Sequence, residues 1–373
     1  MSLGIASSAV AWYRQHSRDL PWRQTRDPYR IWVSEIMLQQ TQVATVIPYY
    51  LRFLDRFPDV RGLAIAPLDE VYRYWSGLGY YRRAKQMHDA ANKIITVHDA
   101  QFPEDFELIS DLPGIGRYTA SAIASFALDQ NRPIVEANTQ RLYARLMGLD
   151  SPLQTSASQF RLWEFAGTLI PKTGPGSGEI NQALMDIGSQ ICTPRDPNCS
   201  RCPLSDWCVT AQQGAQARIP VPKPRKTYTD LTEAALVIED NRGRWLMRRC
   251  LPNERWAGLW DFPRFDISNC KTQSSVESQL QESFRERFHR DIKIGEHFHS
   301  LKHAVTRFRI TLDCFRAVIV PSSKRITSEH VKWYTSEELT ELALCSSGKR
   351  LTQWLAQHRS PRTQPILFPG NAS

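Results

Sequence analysis

A chain of 373 residues is too long for one compact core and suits two domains of ordinary size. Its 42% hydrophobic and 23% charged residues exclude wholesale disorder, and no run approaches the roughly 18 apolar residues of a membrane span. The net charge of +9 favours a polyanionic partner, and the N-terminus lacks the basic leader and long apolar run of a secretory signal.

Residues 1–210 are expected to be helical. Apolar positions in 31–57 and 84–97 recur every three and four residues, between breaks at Pro58-Asp59, Ala66-Pro67 and Gly77-Leu78-Gly79. The stretch from Pro171 to Gly178 reads as a flexible loop. Residues 211–230 lose the apolar period and place Pro220, Pro222 and Pro224 among basic residues, which predicts a stiff, extended linker. Residues 231–373 then change to a period of two. Ala234–Glu239 and Trp245–Arg249 flank Asn241-Arg242-Gly243-Arg244, which predicts a β-hairpin. Arg307–Val320 alternates again, helices are expected at 276–288 and 348–358, and the second domain is therefore α+β.

Three motifs carry chemistry. Four of the eight cysteines (Cys192, Cys199, Cys202 and Cys208) fall in a C-x6-C-x2-C-x5-C pattern, suited to zinc or to an iron–sulfur cluster. All four ligands would be protein, so either metal would act as a staple. Leu112-Pro-Gly-Ile-Gly-Arg-Tyr-Thr-Ala120 has the form of a helix–hairpin–helix, in which Gly114 and Gly116 let backbone N–H groups approach a DNA phosphate. A plain turn between helices is the competing reading. In Trp32-Val-Ser-Glu35-Ile-Met-Leu, Glu35 shares a helix face with Ile31 and Leu38, and burial there would raise its pKa as a general acid requires. A structural carboxyl is the alternative. Glu136 is the second carboxylate candidate, since paired carboxylates at a glycosidic bond protonate the leaving group and stabilise the oxocarbenium-like centre.

LPWRQTRDPYRIWVSEIMLQQTQVATVIPYY, WSGLGYYRRAK, LPGIGRYTASAIASFA, NQALMDIG and the four cysteines together resemble the MutY family of adenine DNA glycosylases. That family belongs to the endonuclease III-like helix–hairpin–helix superfamily. The likeness runs from residue 8 to about 210. In the second domain, Arg255-Trp-Ala-Gly-Leu-Trp-Asp-Phe-Pro263 resembles the family's Nudix-like module. The resemblance implies an all-α glycosylase domain with a 4Fe–4S cluster on the four cysteines, followed by an α+β Nudix-like lesion-recognition domain. It implies an enzyme that extrudes adenine mispaired with 8-oxoguanine or guanine from double-stranded DNA and removes it. Glu35 would protonate adenine N7, with Tyr118 and Asn138 lining the site. Leu20, Trp22, Arg23 and Gln182 would surround the flipped base, and Gln40 and Tyr80 would fill or wedge the stack beside the 8-oxoguanine. Tyr118 stands where lyase relatives carry their Schiff-base lysine, so a monofunctional enzyme is expected. It is expected to work as a monomer, in the cytoplasm at the nucleoid if bacterial and otherwise in the nucleus.

Two departures stand out. The family has aspartate where this chain has Glu136, and glycine where it has Ala137. Its Phe-Ser-His reader loop falls at Leu301-Lys302-His303, with only the histidine kept. Lysine can only donate, whereas serine donates and accepts. These differences leave two other readings: a glycosylase with altered opposite-base preference, or a catalytically impaired lesion-DNA binder. A Nudix hydrolase is disfavoured, because Arg285-Glu286 is not followed by the glutamate pair its metal helix needs.

Overall fold

The computed structural model describes residues 2–172, 176–222, 227–322, 326, 328 and 330–358. The chain divides into two compact units, Met1–Pro224 and Arg225–Ser373.

The first unit is helical. One set of helices runs through α2 (Pro28–Leu38), α3 (Val43–Arg56), α4 (Val60–Ile65), α5 (Leu68–Trp75), α6 (Arg82–Val97), α7 (Phe106–Ser110) and α8 (Arg117–Phe126). A second set comprises α1 (Ser2–His16), α9 (Ala137–Met147), α10 (Ser156–Leu169), α11 (Ser177–Gln190) and α12 (Val209–Gln212). It encloses its own core around Ile5, Leu142, Leu162 and Leu184. Helix α8 packs on α11 and joins the two. The apolar run 31–57 is two helices, because the chain turns at Gln39–Gln42 and Gln40 takes a left-handed φ of 57°. The expected glycine turn is present, with Gly77 and Gly79 at φ 111° and 72°. Of the expected 171–178 loop, residues 173–175 lie outside the described residues and α11 begins at Ser177. The 211–230 segment is not uniformly extended: its first residues end α12, and Ile219 is 1% exposed in the helical core. Pro224 lies outside the described residues.

In the second unit, β1 (Thr229–Ile238), β4 (Arg264–Asp266), β5 (Ile292–Val305) and β6 (Phe308–Ile319) form a sheet of order β4-β1-β6-β5. β1 runs parallel to β6, and the other pairs are antiparallel. β2 (Trp245–Arg249), β3 (Trp260–Asp261) and β7 (Val331–Tyr334) form a second sheet of order β3-β2-β7. Successive residues of β1 point to opposite faces. Ala234, Leu236 and Ile238 pack with Phe284 and Phe288 of α13 (Gln273–Phe288), while Ala235 and Val237 share a core with Leu351 and Leu355 of α15 (Ser346–Gln357). A short helix, α14 (Ser336–Thr340), precedes α15.

The expected hairpin is corrected. The turn forms, with Asp240 N–H donating to Arg244 O at 2.9 Å, but β1 and β2 share only the bridge Glu239–Trp245 before diverging into different sheets. The reason is burial: Ala234–Ile238 are covered on both faces, so β1 belongs inside a sheet between β4 and β6 and not in a two-stranded ribbon. No helix among the described residues is long and apolar enough to cross a membrane.

Candidate active site

Helix α2 is built to hold a carboxyl inside the protein. Asp27 caps it, accepting from Tyr29 N–H at 2.9 Å, and Pro28 opens its first turn. Ile31, Trp32, Val33 and Ile36 are buried around Glu35, which is itself only 4% exposed. The Tyr118 hydroxyl on α8 donates to Glu35 Oε2 at 2.6 Å. Burial pushes the Glu35 carboxyl up to about 7; the Tyr118 bond and Arg23 pull it down, and Glu136 pushes it up.

Glu136 caps α9. Its Oε1 accepts from the backbone N–H groups of Asn138 and Thr139, both at 2.9 Å, and its own N–H donates to Thr139 Oγ1 at 2.8 Å. Asn138 Nδ2 lies 3.4 Å from Oε2. Burial raises the carboxyl above its usual range, while the two backbone donors oppose the rise.

Both carboxylates line one cleft of about 1130 Å³. Leu20, Trp22, Arg23, Gln40, Gly116, Tyr118, Asn138 and Gln182 line it as well. Tyr80 and Gly114 do not. Tyr80 is 57% exposed on a left-handed turn (φ 48°), and Gly114 sits at φ 77° in the α7–α8 hairpin, where a Cβ would come within 2.7 Å of Gln86. Gly116 caps α8 with nothing within 4 Å of a Cβ position, so the hairpin's backbone stays approachable.

Sequence reasoning missed Asp186. Fully buried on α11, it accepts from Arg23 Nη1 at 2.8 Å and Nη2 at 3.0 Å, and from Arg18 Nε at 3.0 Å. The two guanidiniums hold its carboxyl below the usual range despite its burial, and both arginines line the cleft. The nearby Gln182 accepts from the Tyr13 hydroxyl at 2.9 Å.

The four cysteines line a common cavity beside Leu142, Leu146 and Ile191. Arg145 Nη1 donates to Cys192 Sγ at 3.3 Å, and Gln216 Nε2 approaches Cys199 Sγ at 3.6 Å. Donors aimed at sulfur suit thiolates. No three His, Cys, Asp or Glu side chains among the described residues are arranged to hold a single metal ion. Four thiols lining one cavity offer the all-cysteine donor set that an iron–sulfur cluster takes. The segment's only regular structure is two three-residue 3₁₀ turns, Cys199–Arg201 and Ser205–Trp207, so a cluster would supply its cross-links. Arg141 joins this edge to the cleft, donating to Cys192 O at 2.6 Å and to Asn138 Oδ1 at 3.0 Å.

In the second unit, the reader segment expected as a loop is the paired end of β5. Leu301 faces the core at 6% exposure and Lys302 is exposed, while His303, on the same face of β5 as Leu301, is only half-buried. Neither ring nitrogen of His303 has a hydrogen-bond partner among the described residues, and burial beside Arg264 lowers its pKa to about 4, leaving a neutral ring.

Residues 33–166 match the family of HhH-GPD superfamily base excision DNA repair proteins, 192–208 the iron–sulfur binding domain of endonuclease III, and 234–354 the NUDIX domain. The solved structure of a thermostable thymine-DNA glycosylase is similar, at 31% identity and a TM-score of 0.52, over 56% of this chain and 95% of that one. Among curated relatives, the adenine DNA glycosylase of Rattus norvegicus is 30% identical, covering 94% of this chain and 77% of the relative. That of Buchnera aphidicola (subsp. Schizaphis graminum) is 37% identical, covering 71% and 76%. The chain belongs to the adenine DNA glycosylase family. It is a base-excision enzyme that acts on adenine in DNA and carries a 4Fe–4S cluster.

Proposed function

We propose that the enzyme hydrolyses the N-glycosidic bond of adenine paired with 8-oxoguanine or guanine, as a monomer and without a lyase step, at the nucleoid or nucleus. The observation that carries the chemistry is Glu35, held in a cleft with Glu136, bonded to Tyr118 at 2.6 Å and protonated up to about pH 7. Glu35 donates its proton to N7 of the extruded adenine, which leaves as the neutral base. Glu136 faces the developing oxocarbenium centre, and water completes the hydrolysis. Tyr118 fixes the acid's orientation, and Asn138 holds the free oxygen of Glu136. Arg23, Leu20, Trp22 and Gln182 enclose the base. None of the described residues lining the cleft is a lysine, which supports hydrolysis over Schiff-base chemistry. Cys192, Cys199, Cys202 and Cys208 hold the cluster, which braces the edge of the helical unit.

Opposite-base reading is assigned to Gln40 and Tyr80, both on exposed left-handed turns, and to Lys302 and His303 in the second unit. That unit acts as a recognition module. Single-turnover excision from duplexes carrying adenine opposite 8-oxoguanine, guanine, cytosine and thymine tests the assignment. Rates for the first two should exceed those for the last two by at least tenfold. Equal rates would point to altered preference, and no excision from any duplex to a binder.

Replacing Cys199 with serine should bleach the cluster's absorbance near 400 nm and lower the melting temperature by roughly 5–15 °C. DNA affinity should fall with it, while excision at saturating enzyme changes least, because Cys199 does not line the cleft.

A further inference from the structure

Arg83 is 7% exposed at the start of α6, and among the described residues no carboxylate is paired with it. Its two terminal nitrogens face backbone carbonyls from two separate turns and the Thr41 hydroxyl. Nη1 donates to Ile36 O at 2.8 Å, Met37 O at 3.0 Å and Gln39 O at 2.6 Å, the last carbonyls of the helix that carries Glu35 and the first of the turn after it. Nη2 reaches Thr41 Oγ1, Leu78 O and Gly79 O, each at 3.4 Å. The guanidinium carbon lies 5.2 Å from the Trp75 ring centre and 5.4 Å from that of Tyr80.

The two turns it joins are those of Gln40 and Tyr80, both non-glycine residues held at left-handed φ (57° and 48°). Such backbone persists only where the surroundings over-determine it. A planar fork can satisfy several carbonyls in fixed directions, which an ammonium cannot do.

We propose that Arg83 is a positioning residue that sets the distance between the Gln40 and Tyr80 turns, and through it the enzyme's discrimination of the base opposite adenine. This rests on the assignment of Gln40 and Tyr80 to that base. Arg83 touches neither the substrate nor the reacting atoms, and the proton delivered by Glu35 does not pass through it.

The test uses the full-length protein with its cluster. Arg83→Lys keeps the charge and loses the fork. Two readouts separate positioning from general support: the ratio of single-turnover rates opposite guanine and opposite cytosine, and the fluorescence of 2-aminopurine placed beside the opposite base, which reports unstacking. Arg83→Lys should compress the ratio by about tenfold and weaken the fluorescence rise. The pH midpoint of excision should stay where it is. A merely structural residue would lower all rates together and leave the ratio intact; that result overturns the proposal. Should Arg83→Lys fail to fold, Thr41→Val decides, since it cuts only one link between the guanidinium and the turn: a ratio compressed about twofold supports the role and an unchanged ratio overturns it. Gln40→Ala and Tyr80→Ala serve as the control. If they leave the ratio at its wild-type value, the underlying assignment fails and the inference with it. If they collapse it while Arg83→Lys does not, the inference alone fails.

Discussion

Glu35→Gln is expected to abolish adenine excision while leaving DNA binding within about twofold of wild type. Glutamine fills the same volume against Tyr118 but has no proton to give, and general acid catalysis contributes typically 10²–10⁴-fold. A variant that keeps a tenth of the wild-type rate would make Glu35 a structural carboxyl. The pH dependence follows from the same burial. The working form is the protonated one, so single-turnover excision should hold below neutrality and fall as pH rises through about 7. Stability should move with it. The folded state keeps the Glu35 proton to about 7 and the unfolded chain only to about 4.5, so this group's contribution is intact below about 4.5 and lost as pH rises to 7. The loss is on the order of 3 kcal/mol for a shift of this size. Glu35→Gln should therefore melt above wild type at pH 8 and close to it at pH 5.

Much of the helical unit was legible because its signals are local. The apolar face at Ile31, Glu35 and Leu38 foretold that Glu35 would be buried, and the glycine hairpin and cysteine spacing are complete within a few residues of chain. What escaped depends on partners far away in sequence. Asp186 reads as one polar residue in an amphipathic helix until Arg18 and Arg23, more than 160 residues earlier, are seen to close on it. Arg83 reads as a surface cation, because its acceptors are backbone carbonyls with no side-chain signature. In the second unit, period-two alternation located the strands but could not say which would pair. β1 is buried on both faces, and its parallel neighbour β6 lies about 80 residues downstream. A hairpin is the local solution, and the global one displaced it. Leu301 shows the same limit: a motif match placed it in a reader loop, whereas strand alternation turns it into the core.

Glu136 poses the sharpest test, because its side chain is one methylene longer than the aspartate of the resembling family. Glu136→Gln should cost most of the activity, since an amide cannot stabilise positive charge at the anomeric carbon, and unchanged excision would remove the residue from the mechanism. Glu136→Asp reports how the site is built. Glutamate here does two things at once: Oε1 caps α9 through the Asn138 and Thr139 amides, and Oε2 remains beside Asn138 Nδ2 facing the cleft. Aspartate is among the preferred helix caps, so the first role should survive and melting should change little. The second should suffer, because the free oxygen draws back by roughly a methylene's length, and misplacement of about 1 Å can cost on the order of 100-fold. Helix α9 has little room to follow it. Its first turn is already seated on α11 so closely that a Cβ at Gly188 would come within 3.0 Å of Asn138 O, and Arg141 ties the same turn to Gly188 O and Cys192 O. The expected result is a folded, cluster-bearing Glu136→Asp enzyme whose single-turnover rate on adenine opposite 8-oxoguanine falls between ten- and a hundredfold. A faster aspartate variant would mean that the cleft is shaped for the shorter carboxylate, with the capping bonds holding Glu136 away from the sugar.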